Sequence, residues 1–300
     1  MTNAPVTEPD HDPTWDAEVP TEEGVHQLPD GRELAWNSVG SGPTVIWCHG
    51  SNGGRLDTRY SAPRDGAVRV VAFDRPGQGR SSRLPGRSMR DGARDVESLA
   101  DALGIERFAV LGYSSGGPHA LVAGAVLTDR VIAVGVVAGL PPLDAAGLAA
   151  TPGPAPLFQL ARSQGVAALE QALAGLYPAD STKVDAFLAQ FDGLPDGDYL
   201  RANPEVRALV VDTCVDSMQQ GPGGWADDHY ALASDWGVEW RALDETPVTI
   251  WQGAEDPLCT PATAQLIVER VPHAVVHLVP GRGHFGWITE MAKITASLVH

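Results

Sequence analysis

Apolar residues along this 300-residue chain fall into two alternating patterns. Short, nearly continuous apolar runs stand at 44–48 (TVIWC), 68–73 (VRVVAF), 108–112 and 131–138, preceded by a mixed run at 33–39. Runs this short and this apolar predict strands, most of them buried on both faces. Between them, residues 88–103 carry Ala, Val and Leu every three or four positions, and a second helical pattern begins near Ser115. That recurrence predicts amphipathic helices. Regular alternation of the two patterns predicts an α/β fold, a mostly parallel, doubly wound sheet with helices on both faces.

The alternation stops at residue 141. From there to 242 the chain holds Pro-rich turns and helical stretches but no run that predicts a buried strand. Strand patterns return at 247–252 (PVTIWQ) and 274–279, with helical patterns at 261–270 and 287–299. Residues 141–242 are therefore expected to form an inserted helical cap over the carboxyl edge of the sheet, where ligands bind in such folds. The core then comprises 24–140 and 243–300, and residues 1–23 form an acidic leader.

Charge narrows the partners. The formal net charge is −17, which argues against nucleic acid, because phosphate binding requires basic patches. Residues 1–31 contain no Lys or Arg, and the leader reads as a solvated segment; its Asp10-His11-Asp12 cluster has nothing to orient it as a metal site. No apolar stretch approaches the ~18 residues of a membrane helix, and acidic residues stand where a secretion signal would be basic. Hydrophobic residues make up 43% of the chain, and the 33 Gly and 24 Pro sit mostly between apolar runs, as tight loops require. Cys48, Cys214 and Cys259 are odd in number and lack metal-ligand spacing, which suits a reduced, cytoplasmic setting.

The chemistry begins where the 108–112 run ends. Residues 112–116 read Gly-Tyr-Ser-Ser-Gly between a strand pattern and a helix pattern. This is a G-x-S-x-G nucleophile elbow in its strand–turn–helix setting, and the register singles out Ser114 rather than Ser115. The helix that follows directs free N–H groups toward a developing oxyanion. An acid should follow the penultimate strand, where Glu255 and Asp256 stand side by side.

Three further motifs make the chain resemble the capped α/β-hydrolase family over residues 24–300. His49-Gly50 follows the 44–48 run; Asp74-Arg75-Pro76-Gly77-Gln78-Gly79-Arg80-Ser81 matches a D-x-x-G-x-G-x-S turn after the next; Gly281-Arg282-Gly283-His284-Phe285 follows the last. The resemblance implies His284 as general base and, through the pattern G-x-x-D in Gly253-Ala254-Glu255-Asp256, Asp256 as the acid. It also implies an oxyanion hole from the backbone N–H groups of Ser51 and Ser115, with Asn52 as runner-up to Ser51. His49-Gly50-Ser51-Asn52-Gly53-Gly54 departs from the H-G-G-P-G of proline iminopeptidases. A serine at the nucleophile position sets the chain apart from dehalogenase and epoxide-hydrolase relatives, which use aspartate.

These residues imply acyl transfer on a small-molecule substrate, an ester, a lactone or a related acyl bond, with no cofactor and no metal. The alternative is a signalling receptor of the same fold that binds a small ligand with slow or single turnover. His49 is expected to serve its loop structurally, and His119 to pack; His229, after Asp227-Asp228, belongs to no motif. Asp144 is the next candidate acid if neither Glu255 nor Asp256 serves. Trp225, Tyr230, Trp236 and Trp240 gather near the end of the cap, where most should pack and one or two could line a substrate wall.

Overall fold

The computed structural model describes residues 19, 21–176 and 180–299; the Asp10-His11-Asp12 cluster lies outside them. Eight strands form one sheet: β1 (Thr21–Gln27), β2 (Glu33–Val39), β3 (Thr44–Cys48), β4 (Arg69–Phe73), β5 (Phe108–Tyr113), β6 (Val131–Val137), β7 (Val248–Gly253) and β8 (Val275–Val279). Their order is β1-β2-β4-β3-β5-β6-β7-β8. β2 runs antiparallel to both β1 and β4, and every pairing from β4 to β8 is parallel. Central strands β3 and β5 are buried along their whole length, which is why they read as continuous apolar runs.

Before β6 lie a short helical turn α1 (Thr58–Ser61), then α2 (Met89–Ala102) and α3 (Gly116–Val126). α2 opens with a capping box, the Ser88 side chain accepting from the Asp91 N–H and Asp91 accepting from the Ser88 N–H. Between β6 and β7 the described residues form six helices: α4 (Ala145–Ala150), α5 (Ala155–Leu176), α6 (Ser181–Leu188), α7 (Pro195–Ala202), α8 (Pro204–Ser217) and α9 (Gly223–Ala233). α10 (Pro261–Val268) joins β7 to β8, and α11 (Met291–Ser297) closes the chain. No helix among the described residues is long and apolar enough to cross a membrane.

Two elements differ from the sequence expectation. β1 has no apolar signature, and Thr21, Glu22 and Glu23 of it fall in the stretch assigned to the leader. It is an edge strand, exposed along most of its length, so nothing selects for apolar residues there. The helix expected over 287–299 is instead a 3₁₀ turn at Phe285–Glu290 followed by α11. The 3₁₀ turn is held by contacts to the segment between β6 and β7, described below.

One large apolar cluster lies on the α2/α3 face of the sheet and extends into α5 and α9; Trp225 and Trp236 belong to it, and Tyr230 and Trp240 pack against it. A second cluster packs Trp47, Leu111 and Val137 against Trp287 and Met291. A third joins Val184, Leu188, Phe191 and Leu200 of the inserted helices to Phe285 and Ile288.

Candidate active site

β5 runs directly into Ser114, whose φ of +55° lies in the left-handed region that costs a side-chain-bearing residue about 1–2 kcal/mol. The strain is held by backbone bonds on both sides. The Ser114 N–H donates to Val137 O at 2.9 Å, and its carbonyl accepts from Gly117 at 3.0 Å and Leu140 at 3.3 Å. The two glycines of the elbow are needed for close approach. A Cβ on Gly112 would run into the Gly116 carbonyl, and one on Gly116 into the carbonyl of Cys48 on the neighbouring strand. Ser114 is half-buried, whereas Ser115 is fully buried.

Beyond β7, the chain turns through Glu255 and Asp256. Glu255 is exposed and Asp256 is buried. The Asp256 Oδ1 accepts the N–H groups of Leu258 and Cys259, each at 2.8 Å. This fixes the carboxylate so that Oδ2 lies 2.8 Å from His284 Nδ1. A carboxylate partner implies that Nδ1 carries the proton, leaving Nε2 as the basic nitrogen. Burial pulls the imidazole's pKa down, but the charge of Asp256, its hydrogen bond and the charge of Asp196 together hold it above the ordinary histidine value. The Tyr113 ring lies 5.2 Å from that of His284, and its hydroxyl donates to the His284 carbonyl at 3.1 Å. Asp144 is placed elsewhere, accepting from Ala146 and Gly147 as the N-cap of α4.

Asp256, Cys259 and His284 bring three atoms capable of binding a metal within 4.8 Å of one another. Asp256 and His284 are committed to each other, and burial together with the Asp256 charge pushes the Cys259 thiol well up, so the thiol stays protonated. The trio is thus a hydrogen-bonded Asp256–His284 pair with a protonated thiol beside it. All three cysteines are free and buried.

On the other side of the elbow, β3 ends at the His49-Gly50-Ser51 loop. A Cβ on Gly50 would lie 3.4 Å from the Ser114 Cβ, so this loop passes directly beside the elbow. His49 Nε2 accepts the Arg75 N–H at 3.1 Å, and Nδ1 lies 2.6 Å from the Gly50 carbonyl. Burial and the neighbouring Arg75 push the His49 pKa well down, so the ring is a neutral brace of its loop. Among the described residues, the backbone N–H groups of Ser51 and Ser115 have no hydrogen-bond acceptor.

Behind this loop stands a buried polar network that the sequence did not reveal. The Arg75 guanidinium donates to the carbonyls of His49 and of Gly50, to Ser115 Oγ at 3.3 Å and to Asp228 Oδ2 at 2.9 Å. Asp228 Oδ1 also accepts from Arg87 at 2.7 Å and lies 3.0 Å from His119 Nε2. Burial would raise the Asp228 pKa, but Arg75, Arg87 and His119 hold it well below the carboxylate range. His119 therefore anchors an ion pair in addition to packing. The available signal was an acidic pair inside the otherwise apolar α9 sequence Gly-Gly-Trp-Ala-Asp-Asp-His-Tyr-Ala-Leu-Ala. Buried carboxylates of this kind need basic partners.

Asp196, from α7, was also missed. Its carboxylate is buried and accepts the N–H groups of His284 at 2.8 Å and Phe285 at 2.6 Å. Its partners are backbone groups nearly ninety residues away, which leave no mark in sequence.

A profile of the alpha/beta hydrolase fold matches residues 43–290. Over 278 residues the chain is 24% identical to an uncharacterized hydrolase, YcgS, of Bacillus subtilis (strain 168), covering 90% of this chain and 94% of that one. A solved carboxylesterase structure from the ammonia-oxidizing thaumarchaeon Nitrososphaera gargenis aligns with a TM-score of 0.67 at 16% identity, over 91% of this chain and 95% of the other. The enol-lactonase of Burkholderia xenovorans LB400 aligns with a TM-score of 0.64 at 20% identity, over 92% and 98% of the two chains. The chain belongs to the α/β-hydrolase fold family.

Proposed function

We propose that this protein is a serine hydrolase that cleaves an ester, lactone or related acyl bond of a small molecule through an acyl-enzyme. Ser114 Oγ attacks the acyl carbon and its proton passes to His284 Nε2. Asp256 keeps the imidazole in the reactive tautomer and stabilises the imidazolium. The backbone N–H groups of Ser51 and Ser115 receive the oxyanion. His284 then returns the proton to the leaving group, and water releases the acyl group by the same steps. The helices between β6 and β7 act as a cap that shapes the substrate pocket.

The observation that carries this reading is the buried 2.8 Å pair of His284 Nδ1 and Asp256 Oδ2, whose sequence partner Ser114 sits on a strained turn at the end of β5. A carboxylesterase and a lactonase among the similar folds agree with acyl chemistry. The test is multiple-turnover hydrolysis of p-nitrophenyl esters of graded chain length and of lactones. Ser114→Ala should lower kcat by about 10³-fold or more on whichever substrate turns over. Turnover that survives in Ser114→Ala contradicts the assignment.

A further inference from the structure

α7 opens at Pro195, and its Asp196 does not cap that helix, whose N-cap is Leu194. The carboxylate instead leaves its own element and caps another. The 3₁₀ turn Phe285–Glu290 has His284 as its N-cap. The first N–H groups of a helical turn lack internal partners and carry the positive end of its dipole. Asp196 Oδ2 takes the His284 N–H at 2.8 Å and Oδ1 takes that of Phe285 at 2.6 Å. Both are charge-assisted bonds made out of solvent, where such bonds are strong and their loss is costly.

Gly283 is shaped for this contact. A Cβ there would lie 2.5 Å from the Cγ and both oxygens of Asp196. The same face carries further contacts: the Tyr199 hydroxyl lies 3.1 Å from Thr289 Oγ1, and Phe191 meets Phe285 edge to face at 5.1 Å. The loop that bears His284 is thus packed into the apolar cluster of the inserted helices.

We infer that Asp196 is a positioning residue for the reaction proposed above: docked on the His284 loop, it sets the height and tilt of the imidazole, so that the triad is assembled only while α7 is in place. The inference rests on the reading of Ser114, His284 and Asp256 as a triad. Its second consequence is electrostatic. The groups facing His284 are Asp256 and Cys259 after β7, Tyr113 at the end of β5, and Asp196 from α7. Of these, Asp256 and Asp196 favour the imidazolium.

The experiment measures the second-order rate of Ser114 labelling by a fluorophosphonate between pH 5 and 9, with thermal melts alongside. Asp196→Asn should slow labelling at least tenfold and move its acid limb to lower pH. Tyr199→Phe, which loosens the same face without touching His284, should label within about twofold of wild type with an unmoved limb. If Asp196→Asn does not fold, Gly283→Ala pushes the carboxylate off its amides from the other side and should slow labelling comparably. A wild-type rate in Asp196→Asn, or in a folded Gly283→Ala, overturns the inference. So does a loss with an unmoved limb that Tyr199→Phe reproduces, since that is mere docking. Failure of wild-type Ser114 to label sinks the triad reading itself, a result distinct from either.

Discussion

Arg75, on the turn after β4, and Asp228, on α9, form a 2.9 Å ion pair in which neither side chain is more than 2% exposed. Arg75 also donates to the carbonyls of His49 and Gly50. The inserted helices therefore brace the loop beside Ser114 through a buried charge, as they grip the His284 loop through Asp196.

Asp228 balances two buried arginines, and this balance should show in stability. Asp228→Asn leaves Arg75 and Arg87 without their counter-charge, and breaking a buried pair on one side costs about 3–5 kcal/mol. Urea unfolding of wild type and variant measures the loss. A loss below about 1 kcal/mol, the range of exposed pairs, would mean that water compensates the arginines.

Buried neutral histidines should make the fold acid-sensitive. His119 and His229 have pKa values pushed down to about 4, by burial first and by Arg75 and Arg87 against the pull of Asp228. Above pH 6.5 both rings are neutral in the folded and unfolded chain. As pH falls from 6.5 toward about 4 the unfolded chain takes up protons that the folded chain refuses, so stability falls, and below about 4 the effect levels off. Asp57, raised to about 6 by burial, acts in the opposite sense over most of this window, from about pH 6 downward. Each histidine should cost about 2 kcal/mol between pH 7 and pH 5. Comparing unfolding free energies at these two pH values, His229→Gln should shrink the drop by that amount. An unchanged drop would show that the ring is not held neutral.

The two neighbouring carboxylates should separate cleanly. Asp256→Asn removes the charge that orients His284, and should lower kcat by about 10²-fold or more with little change in KM, while exposed Glu255→Gln stays within about threefold. Because His284 is held above the ordinary histidine value, wild-type kcat/KM should fall on the acid side at a pH above that of a free imidazole. In Asp256→Asn this limb should move to lower pH. If Glu255→Gln is instead the crippled variant, the acid is one residue earlier.

What sequence could show here depended on how each residue is paired. β3 and β5 were legible because strands buried on both faces must be apolar throughout, and the elbow because close approach at Gly112 and Gly116 admits only glycine. Ser114, Asp256 and His284 each stand just beyond a strand, so strand patterns and short motifs located them as candidates. β1 was illegible because an edge strand in solvent needs no apolar pattern. Asp196 was illegible for a different reason. Leu-Pro-Asp-Gly-Asp reads as an exposed helix start, and nothing local tells Asp196, which is buried, from Asp198, which is exposed. Arg75 sits at a variable position of its motif, so its pairing with a residue on α9 emerges only from the folded chain.

If His284 activates Ser114 as the nucleophile, that serine alone should react with an organophosphorus electrophile. Intact-mass analysis after fluorophosphonate treatment, with peptide mapping of the adduct, measures this reactivity. One adduct per chain is expected, on the peptide containing Ser114, lost in Ser114→Ala and retained in Ser115→Ala, because Ser115 would contribute its backbone N–H rather than its hydroxyl. An adduct that persists in Ser114→Ala, or that maps to another residue, would contradict Ser114 as the nucleophile.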